Sequence, residues 1–310
     1  MILPKFKRTY TGLYISKESV SAASIEKDKK GFTVTHLCEA PMPEETIRLS
    51  YRTKNIINKE IFRETVMGVV SSIDKKISHI GLSLPNEIIK LSIQKYAELP
   101  GTNFEINKMI AWRLEKSIHI SAKEASISHS LIGTNKNGEK SLLAIVGIQD
   151  VIRQFEMNLL ELGIHPKCIL PSGLNQLNFF INRLPTIGTI AFLGLFEYFF
   201  TFFVFEDSKL TFYHGIKKGF SNLNFFQDVD MIMLHFLSAN PDEKIEQLFI
   251  GTQVGFHREL EDVFNSISNI DIHIMHEDKI IDTCSKAGKL DSKHGLSYYV
   301  PAIGAALSIA

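Results

Sequence analysis

The chain has 310 residues, 45% of them apolar, with Lys+Arg and Asp+Glu both at 34 and a formal net charge of zero at pH 7. That length and apolar share support two modest folded units and exclude a disordered chain, while the balanced charge leaves no excess field to gather nucleic acid or an anionic membrane surface. Cys38, Cys168 and Cys284 are odd in number, far apart and match no zinc or redox spacing, which suits a reducing cytoplasm with the thiols as small hydrophobes.

The amino-terminal stretch Met1-Ile-Leu-Pro-Lys-Phe-Lys-Arg8 is basic with no apolar run behind it. No signal peptide is expected, and the protein is expected to stay inside the cell. Strands at 10–15, 19–26 and 32–39, with a polar turn at 27–31, predict a three-stranded meander. A helix follows, with Asn58 as N-cap and Ile61, Phe62, Val66, Val69, Val70 and Ile73 at helical spacing. The strand at 79–84 stops at Pro85, and this strand–helix–strand order predicts a parallel pairing inside a mixed sheet. A strand at 88–99, a helix at 104–117 capped by Asn103, and strands at 125–132 and 141–147 around Asn135-Lys-Asn-Gly138 form a small inserted unit. A helix at 149–162 ended by Gly163, a strand at 164–170 and a helix at 174–183 close the first half.

The second half opens on residues 186–205, which hold eight aromatic residues and Glu197 as the one charge, in a length close to a membrane span. Gly188, Gly194, central Glu197 and the density of Phe and Thr favour two buried strands joined by a turn over a membrane helix. Further strands are predicted at 210–214, 247–251 and 271–275, and helices at 230–238, 256–268 and 300–309, the last rich in Ala and Gly and suited to close packing. The expected fold class is α/β with mixed sheets: a first lobe of 1–87 and 149–184, an inserted α+β subdomain of 88–148, and a reduced second lobe of 185–310 that approximately echoes the first.

Four segments carry a family resemblance: Leu114-Glu-Lys-Ser-Ile-His-Ile120, Glu124-Ala-Ser-Ile-Ser-His-Ser-Leu-Ile-Gly133, the turn Leu162-Gly-Ile-His-Pro166 between helix and strand, and Tyr299-Val-Pro-Ala-Ile-Gly-Ala-Ala-Leu307. In order and spacing, over nearly the whole chain, they resemble PilM, the actin-like protein of type IV pilus assembly. FtsA and the cytoplasmic part of the type II secretion protein GspL are more distant likenesses. The resemblance implies an actin-like (ribonuclease H-like) two-lobed fold. It also implies a cytoplasmic scaffold of a pilus or secretion assembly platform, associated with the inner face of the inner membrane by binding the amino-terminal tail of a PilN-like partner. It places Trp112, Arg113, Lys116 and Ile118 of the inserted unit among the partner-binding residues.

The departures bear on nucleotide. Where PilM-like proteins have Gly-Ile-Asp-Ile-Gly-Ser, this chain has Gly12-Leu-Tyr-Ile-Ser-Lys17; where they have Asp-Ile-Gly-Ala-Ser, it has Gly194-Leu-Phe-Glu-Tyr198; their Gly-Gly-Gly appears as Gly251-Thr-Gln253. A turn that cradles phosphate needs glycines so that backbone N–H groups can approach, and a carboxylate at the strand end to hold hydrated metal. Tyr14, Ser16, Lys17, Ser19, Gly194, Phe196, Glu197 and Gly251 therefore read as degenerate, with no cofactor and no catalytic residue expected. ATP with Mg, in an active ATPase or kinase relative, is the alternative. Lys17 and Ser19 read as an ordinary solvated turn or as a residual anion contact. Glu197 reads as a turn residue or a relocated metal carboxylate, and His273 and His276, three apart, lack a third ligand nearby. Trp112 is core if its helical stripe is buried, and a contact if the resemblance holds. No Ser-His-Asp or Cys-His constellation stands out.

Overall fold

A computed structural model describes residues 8–27, 31–74, 76–118, 120–134, 137–196, 198–217, 225–241, 243–252, 270–277, 282–283 and 295–310. The helix expected at 256–268 lies outside them, as do Glu197 and Gln253. The chain divides into two compact units. Unit 1 comprises Met1–Pro85, Arg153–Asn182 and His276–Ala310, and unit 2 comprises Asn86–Ile152 and Arg183–Met275.

Unit 1 is built on strands β1 (Thr9–Ile15), β2 (Ser19–Lys27), β3 (Phe32–Pro41), β4 (His79–Leu84), β8 (His165–Pro171) and the short β14 (Asp282–Thr283), in the order β14-β3-β2-β1-β4-β8. The meander β1–β2–β3 is antiparallel and β4 joins β1 in parallel, as the strand–helix–strand order predicts. Helix α1 (Lys59–Ile73) starts where the Asn58 side chain accepts a hydrogen bond from the Ile61 amide at 3.2 Å, and it buries Phe62, Val66, Val69 and Val70. Phe62 meets Phe155 of α3 (Gln149–Leu160) edge to face at 6.2 Å between centroids.

The carboxy-terminal helix α6 (Val300–Leu307) belongs to this unit, although the sequence reading places residues 276–310 in the second lobe. Glycine makes the packing possible. Gly12 of β1 and Gly81 of β4 are partners across the parallel ladder, and a Cβ on either would overlap an α6 carbonyl oxygen, that of Ala302 or of Ala305. On α6 itself, a Cβ on Gly304 would overlap the Asn175 carbonyl of α4 (Ser172–Phe180). The helix thus lies between sheet and α4 at backbone contact distance, with Val300, Ala302, Ile303, Ala305 and Ala306 fully buried.

Unit 2 holds two sheets. The inserted segment folds as β5 (Lys90–Tyr96), α2 (Asn103–Ile118), β6 (Ala125–Thr134) and β7 (Lys140–Ile148), a sheet in the order β5-β7-β6. The cap of helix α2 lies one residue earlier than expected: the Thr102 hydroxyl accepts from the Glu105 amide at 3.3 Å and donates to the Glu105 carboxylate at 2.9 Å, a Thr-x-x-Glu capping arrangement. The second sheet runs β11-β10-β9-β12-β13, from β9 (Thr189–Leu195), β10 (Phe200–Glu206), β11 (Lys209–Ile216), β12 (Gln247–Thr252) and β13 (Asp271–Ile274). Residues 186–205 are therefore mostly two paired strands, and among the described residues no helix is long and apolar enough to cross a membrane. Phe200, Phe202 and Phe236 pack there with Val229 and Ile232 of α5 (Phe225–Ala239), a helix that starts five residues before its expected position. Strand β11 also lies against β5 and β6, which joins the inserted segment to the second sheet in one compact unit.

Both large sheets share one plan, an antiparallel meander followed by two parallel strands. Gly194 of β9 pairs with Gly251 of β12 just as Gly12 pairs with Gly81.

Candidate functional site

The turn from β1 to β2 closes on itself. The Ser16 amide donates to the Ser19 carbonyl at 2.8 Å, while the amides of Glu18 and Ser19 donate to the Ser16 hydroxyl oxygen at 3.2 and 3.0 Å. The Ser16 and Ser19 hydroxyls are 3.0 Å apart, and the Tyr298 hydroxyl bonds Ser19 Oγ. These turn amides are engaged within the protein, and a phosphate would have to break those bonds to reach them. Tyr14, 6% exposed, alternates with Gly12 and so points to the face that carries α6. Lys17 is exposed at the tip of the turn, as an ordinary solvated turn would have it.

The corresponding turn in unit 2 behaves alike. The Phe196 amide donates to the Phe199 carbonyl at 3.0 Å, and Phe196 is buried at 4% exposure. Gly194 and Gly251 are ladder partners inside the sheet, with the Thr201 hydroxyl donating to the Gly194 carbonyl at 3.4 Å. The Ser16, Glu18, Ser19 and Phe196 amides are engaged by their own turns, and Ser16 and Phe196 stand where a phosphate-cradling turn would have glycine.

The other candidates are dispersed. His273 faces Asp271 at 3.0 Å and stacks on Phe249 at 4.8 Å, and among the described residues no group of three metal-binding side chains exists. Burial pushes the Glu87 carboxyl up and the Lys90 amine down, each partly offset by the other; Lys217 also acts on both. On β11, burial first and the neighbouring His235 second hold the His214 imidazole below its ordinary 6.5.

The residues expected from the sequence to meet a partner lie on α2. Trp112 is 61% exposed, which overturns its core reading. Ile106, Ile110 and Leu114 make the buried line instead. Lys116 Nζ lies 4.2 Å from the Trp112 ring centre and Lys108 Nζ 4.3 Å from that of Phe104, itself 68% exposed, so two cation–π pairs sit one after the other along the helix. Arg113 is committed elsewhere: it donates to the Lys95 carbonyl at 2.8 Å and lies over the Tyr96 ring, tying α2 to β5. Ile118 ends α2, with its side chain outside the described residues.

No family model matches this sequence, and no curated protein matches it. Solved structures do match the fold. A PilM–PilN type IV pilus biogenesis complex superposes at a TM-score of 0.76, with 10% identity, 96% of this chain and 98% of that chain covered. A protein of Bacteroides thetaiotaomicron with an actin-like ATPase fold and unknown function superposes at 0.54, with 8% identity over 91% of this chain and 96% of its own. The chain therefore has the actin-like ATPase fold. Among solved structures it is similar to PilM as seen in its complex with PilN.

Proposed function

We propose that this protein is a scaffold of a type IV pilus or type II secretion assembly platform, cytoplasmic and held at the inner membrane by the amino-terminal tail of a PilN-like partner, with nucleotide binding lost. The observation that carries the reading is the likeness, over 96% of the chain, to a protein solved together with its pilus partner. Two features support it: the self-closed turns, and the large rings that α2 leaves in solvent, Phe104 and Trp112, the latter paired with Lys116. In this reading Trp112 and Lys116 meet the tail. Exposed tryptophan is costly to keep and is enriched where partners bind.

Isothermal calorimetry with a synthetic peptide of the PilN-like tail tests this. Saturable binding is expected, weakened about tenfold by Trp112→Ala while the urea midpoint stays put, because the ring is already largely in water. Absence of saturable heat with the full chain defeats the reading.

A further inference from the structure

We propose that His79 and His165 form an exchangeable site for a late transition-metal ion such as Zn2+ at the open edge of the unit 1 sheet, an inference that stands apart from the scaffold reading. His79 opens β4 and His165 opens β8, and the two are partners across the parallel ladder. Strand β8 is the last of its sheet among the described residues, and both histidines are exposed. Their ring centres stand 5.7 Å apart with the planes tilted by 34°. Two imidazoles that share an ion through metal–nitrogen bonds of about 2.0–2.1 Å have ring centres up to about 6 Å apart, so rotation about the broad χ2 torsion brings a nitrogen of each ring to it.

Ser78 prepares the pair. Its hydroxyl lies 3.0 Å from His79 Nδ1 and its carbonyl accepts the His165 amide at 2.8 Å, so it orients the first ring and fixes the backbone of the second. With Nδ1–H donating to Ser78 Oγ, His79 keeps its Nε2 lone pair for an ion, the arrangement in which metal-binding imidazoles are usually held. Ahead of His165 the chain is equally fixed: Gly163 takes a φ of 76°, and the Ile164 amide donates to the Leu159 carbonyl at 3.0 Å. Ligands set on strands in a fixed register lose little freedom when an ion arrives.

The surroundings select the ion. Within three residues of either histidine in sequence there is no carboxylate, and Lys76 and Lys167 add positive charge. Hard ions such as Mg2+ or Ca2+ want oxygen ligands and find none there, whereas imidazole suits zinc, copper and nickel. No third metal-binding side chain joins the pair among the described residues, so the remaining positions go to water and the ion exchanges instead of residing permanently. Other histidines are less ready. His214 and His235 also stand 5.7 Å apart, but Phe212 packs on both rings, and turning them toward an ion would break those contacts. His273 is engaged by Asp271 and Phe249.

The test uses the full chain, free of any polyhistidine tag, with zinc chloride in isothermal calorimetry and copper sulfate in electron paramagnetic resonance. Saturable uptake of a single zinc ion is expected, weakened about tenfold or more by His79→Gln or His165→Gln alone and about tenfold by Ser78→Ala. His214→Gln is expected to bind zinc as the wild type does. Both ligand positions are exposed, so without metal their variants are expected to keep the wild-type urea midpoint, while zinc raises the midpoint only where both histidines are present. Copper is expected to show coupling to two imidazole nitrogens, reduced to one in either single variant. Absence of saturable zinc uptake overturns the site, as does uptake that neither histidine substitution weakens. A loss confined to one of the two variants reduces the pair to a lone surface histidine and overturns it too. If both histidine variants weaken binding and Ser78→Ala does not, the positioning role of Ser78 falls and the ion site stands.

Discussion

Glycine decides the packing of unit 1 at the residue scale. Gly12 stands where the resemblance places a phosphate turn, yet its missing side chain makes room for the Ala302 carbonyl of α6. Backbone on the far side of the gap cannot swing away as a side-chain tip can. Gly12→Ala is expected to cost on the order of 1–3 kcal/mol, the usual range for overpacking a tight core. Gly68, inside α1 and exposed, has nothing within 4 Å of the position a Cβ would take, and there Gly→Ala is expected to stabilise by about 0.5–1 kcal/mol through helix propensity. Urea midpoints of the two variants, shifted in opposite directions, check the account; an unshifted Gly12→Ala midpoint would refute the close approach.

At the scale of elements, α5 sits on β11 through rings: Phe212 meets Phe236 at 5.3 Å and His214 meets His235 at 5.7 Å. Burial and His235 hold the folded His214 pKa below 6.5, so the unfolded chain takes a proton at a pH where the folded chain resists it. Stability is therefore highest above about pH 6.5 and declines as pH falls through the interval between the unfolded and folded values. Between about pH 7.5 and 5.5 the wild type is expected to lose more stability than His214→Gln, read as the change in urea midpoint; equal losses would show that the contact does not couple to protonation. The strands and helices around this contact were legible in sequence, because period 2 and period 3.6 are local signals. Partners far along the chain were not. The Ala and Gly of residues 300–309 announce close packing but not which sheet receives them, and the bond from Tyr298 to Ser19 joins residues 279 positions apart. Trp112 was within reach: it follows Ile110 by two positions, about 200° around the helix, which puts it opposite the buried line of Ile106, Ile110 and Leu114. The cap at Thr102 was within reach too, since Glu105 three residues on completes the pair.

For the whole molecule, the repeated plan of the two large sheets is the mark of the actin-like fold, while the turn that opens each meander is closed by its own hydrogen bonds. The same architecture supports two behaviours that differ by a measurable free energy. A chain that binds Mg-ATP gains about 2.7 kcal/mol when the ligand stands at 100 times its dissociation constant, a rise of roughly 5–10 °C in melting temperature for folded units of this size. A chain whose Ser16, Glu18, Ser19 and Phe196 amides are held by their own turns must break those bonds before any phosphate contact forms, and each broken bond offsets about 1 kcal/mol of binding. Melting scans with millimolar Mg-ATP, Mg-ADP and no nucleotide are therefore expected to coincide. An upward shift confined to the Mg-nucleotide scans would restore the ATPase reading and require the turns to open.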